Sequence, residues 1–114
     1  MHTDPIMILH PLEEQIVAPN SEARYTCKVS GVPTPTIMWT FNGAEISEGT
    51  DVDIENNNTN LRNLVAVTST LRYRSSQESG QVACIGYHME GKRLAMVTSE
   101  AHFIVLCKGQ GSLN

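Results

Sequence analysis

The 114-residue chain carries its hydrophobic positions in short stretches that alternate with polar ones. A period of two marks a strand with one face buried and the other in water. Ala23-Arg24-Tyr25-Thr26-Cys27-Lys28-Val29 is the cleanest case. It predicts a strand with Tyr25, Cys27 and Val29 inward and Arg24, Thr26 and Lys28 outward. Thr36-Ile37-Met38-Trp39-Thr40-Phe41 repeats the pattern with Ile37, Trp39 and Phe41 inward, after a loop at Gly31-Val32-Pro33-Thr34-Pro35. Asn42-Gly43 then reads as a tight turn. Ile6-Met7-Ile8-Leu9 and Gln15-Ile16-Val17-Ala18 suit a first strand interrupted at His10-Pro11, because proline donates no ladder hydrogen bond. Leu64 to Tyr73, Val82 to His88 and Leu94 to Leu106 are strand-like, the last two joined at Met89-Glu90-Gly91-Lys92. Ser47 to Asn63, rich in Asn, Asp, Glu and Thr, reads as a weak edge strand and a loop, and Ser75 to Gly80 as a corner. The outcome is eight or nine short strands, no helix and no internal repeat, the pattern of an all-β sandwich.

Length and charge narrow this picture. The chain suits one domain with a thin core. A formal charge of −4 and a pI near 5.5, with no basic stripe, argue against nucleic acid as a partner. No apolar run reaches the roughly 18 residues that cross a bilayer. Membrane attachment would therefore need a segment outside this sequence. Residues 1–4 read as an expression start or linker, residues 5–106 as the domain, and residues 107–114 as a linker tail.

Three residues stand apart. Cys27 is followed by Trp39 twelve positions later and by Cys84 fifty-seven positions later, and Glu78-Ser79-Gly80-Gln81-Val82-Ala83 precedes Cys84. Read alone, the two cysteines suit a disulfide, a pair of buried thiols or metal ligands. Together with Trp39 they resemble the core signature of immunoglobulin-superfamily domains. The stretch Val32-Pro33-Thr34-Pro35-Thr36-Ile37-Met38-Trp39 is most similar to the intermediate (I-set) type, and a variable-like type ranks second. The resemblance implies an immunoglobulin-like two-sheet Greek-key sandwich with one inter-sheet disulfide, Cys27 to Cys84, and Trp39 packed on it. Such a bridge would be worth about 4 kcal/mol in the chain-entropy account. The family usually has a tyrosine where this chain has Val82, so its corner hydrogen bond cannot form here.

Given Trp39 and Cys84 inward, alternation assigns the opposite parity to the outside. A turn at Glu90-Gly91 sets Tyr87 opposite Leu94 and Ile85 opposite Met96, and a turn at Gly91-Lys92 keeps the same faces. Val97, Ala101, Phe103 and Val105 then point inward. Met38, Ile85, Tyr87, Leu94 and Met96 point outward as one apolar surface, a mark of an interaction site. A covering neighbour domain or loop, or a bulge that reverses one strand, is the competing account. In the resembled family the C–F–G face is often the binding face.

No catalytic set emerges. His2, His10, His88 and His102 are scattered without metal-ligand spacing and read as surface or turn residues; Glu13-Glu14 reads as a solvated pair. No metal, cofactor or small-molecule substrate is expected. Asn57-Asn58-Thr59 is an N-glycosylation acceptor pattern in what reads as a polar loop. Cys107 is the odd cysteine, read as an intermolecular bridge or an idle thiol. Gly109-Gln110-Gly111 lies in the tail, without the following helix that a phosphate loop needs. The expectation is a non-enzymatic recognition, adhesion or receptor module of the secretory pathway, extracellular or at the cell surface. It would bind a protein, a second copy included, through the C–F–G face. The alternative is a structural spacer in a multi-domain chain, an intracellular filament-type bead included.

Overall fold

A computed structural model of the chain describes residues 4–60, 62, 64–74 and 79–106. The described residues form β1 (Asp4–His10), β2 (Gln15–Val17), β3 (Glu22–Val32), β4 (Thr36–Phe41), β5 (Ala44–Glu45), β6 (Val52–Asn60), β7 (Val65–Arg74), β8 (Gly80–Glu90) and β9 (Arg93–Val105). A four-stranded sheet has the order β1-β3-β7-β6 and a five-stranded sheet the order β2-β9-β8-β4-β5. The chain is an all-β, two-sheet sandwich of the immunoglobulin kind, as the cysteine and tryptophan pattern implied.

The split first strand serves both sheets. β1 pairs antiparallel with β3, whereas β2 pairs parallel with β9. Pro11 stands at the crossing, where a missing N–H costs no ladder bond. Leu12 is buried there and its N–H donates to Ser99 Oγ at 2.9 Å. At the β4–β5 hairpin, Asn42 (φ 52°) and Gly43 (φ 88°) take the left-handed conformations that a two-residue turn demands. Asn42 N–H donates to the Gln81 carbonyl at 2.8 Å, and Gln81 N–H donates to Asn42 Oδ1 at 2.9 Å. The turn residue thereby fixes the hairpin to β8.

Alternation on β3 is as expected: Tyr25, Cys27 and Val29 are buried, and Arg24 is exposed. Cys27 and Cys84 form the inter-sheet disulfide, with Cα atoms 6.4 Å apart. Trp39 is Cα partner to Cys84, and its indole N–H crosses to the other sheet to donate to Ser69 Oγ at 2.9 Å. Because Ser69 is itself partner to Cys27, the bridge (β3 to β8) and the indole bond (β4 to β7) tie the two sheets at one level. Below them lies an aromatic group centred on Phe103, with ring centroids 5.5 Å from Tyr73, 6.1 Å from Phe41 and 6.5 Å from Tyr25. Val82, in place of the corner tyrosine, is buried in this core. The Tyr25 hydroxyl donates to the His102 carbonyl at 3.4 Å; burial raises its pKa, and the Glu14 charge adds to the rise.

Three sequence expectations are corrected. Val52 to Asn60 is a continuous strand paired residue for residue with β7, not a weak strand passing into a loop. Ladder bonds are made by the backbone, so polar side chains on an edge strand do not prevent them. The last turn is Gly91-Lys92: Glu90 pairs with Arg93, Tyr87 with Met96 and Ile85 with Thr98. Gly91 takes φ 69° there, which glycine adopts at no steric cost. His88, expected at the surface or in a turn, is buried, because it continues the inward parity of Cys84.

Candidate functional site

The outer face of the five-stranded sheet is a grid set by register. On β8, Ile85 stands between Met38 of β4 and Thr98 of β9, and Tyr87 stands between Thr36 and Met96. Met89 faces Leu94 beside the hairpin turn. Ala83, between Thr40 and Glu100, closes the grid at the far end, where Gln81 Nε2 donates to Glu100 Oε1 at 3.2 Å. The structure thus brings all five expected residues together on one face. They are unequally accessible: Leu94 and Met96 are 52% and 54% exposed, while Met38, Ile85 and Tyr87 are half-buried among their neighbours.

Met89, 47% exposed, belongs to this face and was missed. It was assigned to the turn, although its parity with Ile85 and Tyr87 marks it as outward. Beside Met38 and Tyr87 the face drops into a groove between β4 and β6, lined also by Ile54, Asn56, Glu45 and Glu48.

The outer face of the other sheet differs in chemistry. Arg72 meets Asp53 at 3.0 Å and Glu55 at 3.9 Å, and Arg24 meets Glu22 at 3.6 Å. Thr26, Lys28, Thr68 and Thr70 fill the rows between. Over β3, β7 and β6 this side is dressed for water, with Met7 and Leu9 exposed on its β1 edge, whereas the other side gathers three methionines, an isoleucine, a leucine and a tyrosine on three adjacent strands.

His88 underlies the hairpin end of the apolar face. Its Nδ1 lies 2.8 Å from the Pro33 carbonyl oxygen and its Nε2 lies 2.9 Å from Glu90 Oε2. The His88 hydrogen bond, foremost, holds the Glu90 carboxyl below the usual carboxylate range; the His88 and Arg93 charges and the Ile6 N–H add to the effect, against a desolvation cost. Gly31 makes room for the ring: a Cβ there would sit 2.9 Å from His88 Cε1. The contact joins the loop before β4 to the end of β8, and the signal for it was the inward parity of position 88.

Asn57 lies on β6, exposed, rather than in a loop. Cys107, Gly109-Gln110-Gly111 and His2 lie outside the described residues. His10 and His102 are exposed, and no cluster of metal-binding side chains occurs among the described residues.

The family described as immunoglobulin domain matches residues 4–87. Zwei Ig domain protein zig-4 of Caenorhabditis elegans is 28% identical over 89 residues, which is 73% of this chain and 35% of that protein. Neural cell adhesion molecule L1.1 of Danio rerio is 49% identical over 41 residues, 36% of this chain and 3% of that protein. Inactive tyrosine-protein kinase 7 of Mus musculus is 28% identical over 88 residues, 77% of this chain and 8% of that protein. The chain thus spans 35% or less of the length of these relatives. Among solved structures, the tandem Ig repeats of Dlar match with a TM-score of 0.73 at 21% identity, over 91% of this chain and 50% of that one. The titin Ig tandem A164-A165 matches with a TM-score of 0.71 at 17% identity, over 92% of this chain and 49% of that one. At these identities the structural likeness speaks to fold alone. Two sheets in this strand order, a bridge between them with a tryptophan against it, and a family match across most of the sequence agree: the chain belongs to the immunoglobulin domain family.

Proposed function

We propose that this domain is an extracellular recognition module that binds a protein partner through the outer face of β4, β8 and β9. The observation that carries the reading is the contrast between the two outer faces. Exposed Leu94, Met96 and Met89 adjoin half-buried Tyr87, Ile85 and Met38 in one patch across three strands, while the opposite sheet presents ion pairs and threonines over β3, β7 and β6 and confines its exposed apolar residues, Met7 and Leu9, to the edge strand β1. Burying the patch would remove apolar area from water, and pliable methionines would adapt to the surface opposite. The sheet presents side chains rather than a reactive centre, so the module works by complementarity, without enzymatic chemistry, cofactor or small-molecule substrate. The Cys27–Cys84 bridge supports an oxidising compartment, and the relatives include a neural cell adhesion molecule.

The test is binding by variants that leave the core intact. Tyr87→Ala should weaken association with the partner, or with a second copy, by more than about 1 kcal/mol. Ile85→Asp should weaken it further, by burying an unpaired charge. Undiminished association of Ile85→Asp would refute the assignment of the face. Light scattering over a concentration series, with and without reductant, supplies the self-association arm. The same series reads Cys107, which we assign to an intermolecular bridge: a reductant-sensitive dimer is the expected result.

The second reading is a spacer bead in a multi-domain chain, in keeping with the small share of its relatives' length that the chain spans. An intracellular bead of this kind would have free Cys27 and Cys84 in the natural protein, which mass measurement before and after reduction would detect.

A further inference from the structure

We propose that Asn57 carries an N-linked glycan and that the glycan guards the open edge of β6. This rests on the extracellular reading. Asn57-Asn58-Thr59 is the one Asn-x-Ser/Thr sequence in the chain. Its placement now has a geometry. Val52 and Ile54 are partly buried and pack against the core, so the alternate residues Asp53, Glu55, Asn57 and Thr59 share the outer face. Asn57 and Thr59 are both exposed, opposite Thr68 and Ala66 of β7. The acceptor asparagine and the threonine that completes its sequence thus stand side by side on the polar sheet. The binding face proposed above belongs to the opposite sheet, so a glycan here leaves it free.

The edge supplies the reason for one. Among the described residues β6 closes the four-stranded sheet and pairs as a strand only with β7; on its other side Val52 bonds to Gly49 and the Ile54 N–H donates to Glu48 Oε2, and no strand pairs with Asn56 to Asn60 there. An open edge of this length templates pairing with another chain unless charge, proline or cover prevents it. Asp53 and Glu55 charge the first half of the strand. The second half, Asn56-Asn57-Asn58-Thr59-Asn60, holds no charge and no proline, and asparagine side chains ladder readily between stacked strands. The acceptor sequence falls within that unguarded half. A hydrated oligosaccharide at Asn57 would exclude a second strand from it.

The experiment expresses the full 114-residue chain behind a cleavable secretion leader in animal cells, followed by intact-mass measurement. The expected result is secreted, disulfide-bonded protein heavier than its polypeptide. Asn57→Gln and Thr59→Ala should abolish the excess mass, and Thr59→Ser should keep it. Secreted, disulfide-bonded protein at the bare polypeptide mass overturns the glycan and leaves the extracellular reading standing. Retention of the chain inside the cell without a disulfide overturns both. The guarding role is read by light scattering in an Ile85→Asp, Cys107→Ser background, which silences the apolar face and removes the proposed intermolecular bridge. There Asn57→Gln should form larger species at concentrations where the glycosylated protein stays monomeric. Asn57→Lys, without glycan but charged, should stay monomeric. An Asn57→Gln protein as monomeric as its glycosylated parent overturns the guard.

Discussion

Gly86 lies beneath the apolar face, between Ile85 and Tyr87, and its missing side chain sets how closely the sheets approach there. A Cβ at this position would sit 2.9 Å from Val29 Cγ1, 3.0 Å from Cγ2 and 3.3 Å from Cβ. Val29 is fully buried on the other sheet and, being β-branched, cannot swing its methyls away. Gly86→Ala should therefore overpack the core, at a cost of about 1–3 kcal/mol. The strand preference of alanine over glycine returns roughly 0.5–1 kcal/mol. A net loss near 1–2 kcal/mol is expected. Val29→Ala removes two buried methyl groups, about 1.6 kcal/mol at ~0.8 kcal/mol for each carbon, and leaves a cavity that adds to this. In the double variant the new methyl enters the space the valine vacates, so the two losses should not add. A coupling of at least about 1 kcal/mol, in the sense of rescue, is the expected sign of direct contact. Urea unfolding of the four proteins, with the disulfide intact, measures it. Additive losses, or a Gly86→Ala protein as stable as the parent, would refute the claim that this contact sets the sheet spacing.

Other expectations follow from single contacts. Ser69→Ala leaves the buried Trp39 indole N–H without its acceptor and should cost about 1–3 kcal/mol in the same unfolding assay. Replacing Cys27 or Cys84 by alanine should cost roughly 2–5 kcal/mol, and the unreduced parent should resist alkylation at both positions in peptide mapping. Glu90 titrates below the usual range, so its stabilising effect is complete above the unfolded-state value, about pH 4.3. That effect disappears as pH falls through the depressed folded value. The stability gap between the parent and Glu90→Gln should therefore be constant at neutral pH and close in acid. A gap that widened on acidification would contradict the His88–Glu90 contact.

What could be read from the chain beforehand was what alternation encodes. Tyr25, Cys27 and Val29 announce the inward face of β3, because a half-buried strand must alternate and this one does so without interruption. The outer patch was legible for the same reason, once Trp39 and Cys84 set the parity. β6 was not, because Asn56 to Asn60 are polar on both faces and its pairing with β7 rests on backbone groups that every sequence has. The β8–β9 register hung on which side of Gly91 the turn fell, and only the positive φ at Gly91 decides it. His88 was judged by its polarity rather than by its place in the alternation. Its burial depends on acceptors from the Pro33 carbonyl and Glu90 and on the space left by Gly31, which no local pattern displays.

The disulfide also has a mechanical meaning. Cys27 and Cys84 are separated by 57 positions, so the covalent ring encloses about half the chain, including β4 to β7. If the two ends were pulled apart, tension would travel along the polypeptide to Cys27, cross the sulfur bridge and leave from Cys84. Everything inside the ring would remain slack. At about 3.4 Å per extended residue, roughly 190 Å of contour is withheld from extension while the bond is intact. Reduction would release that length, giving a tethered copy of this domain two lengths of pull set by the redox state of one bond.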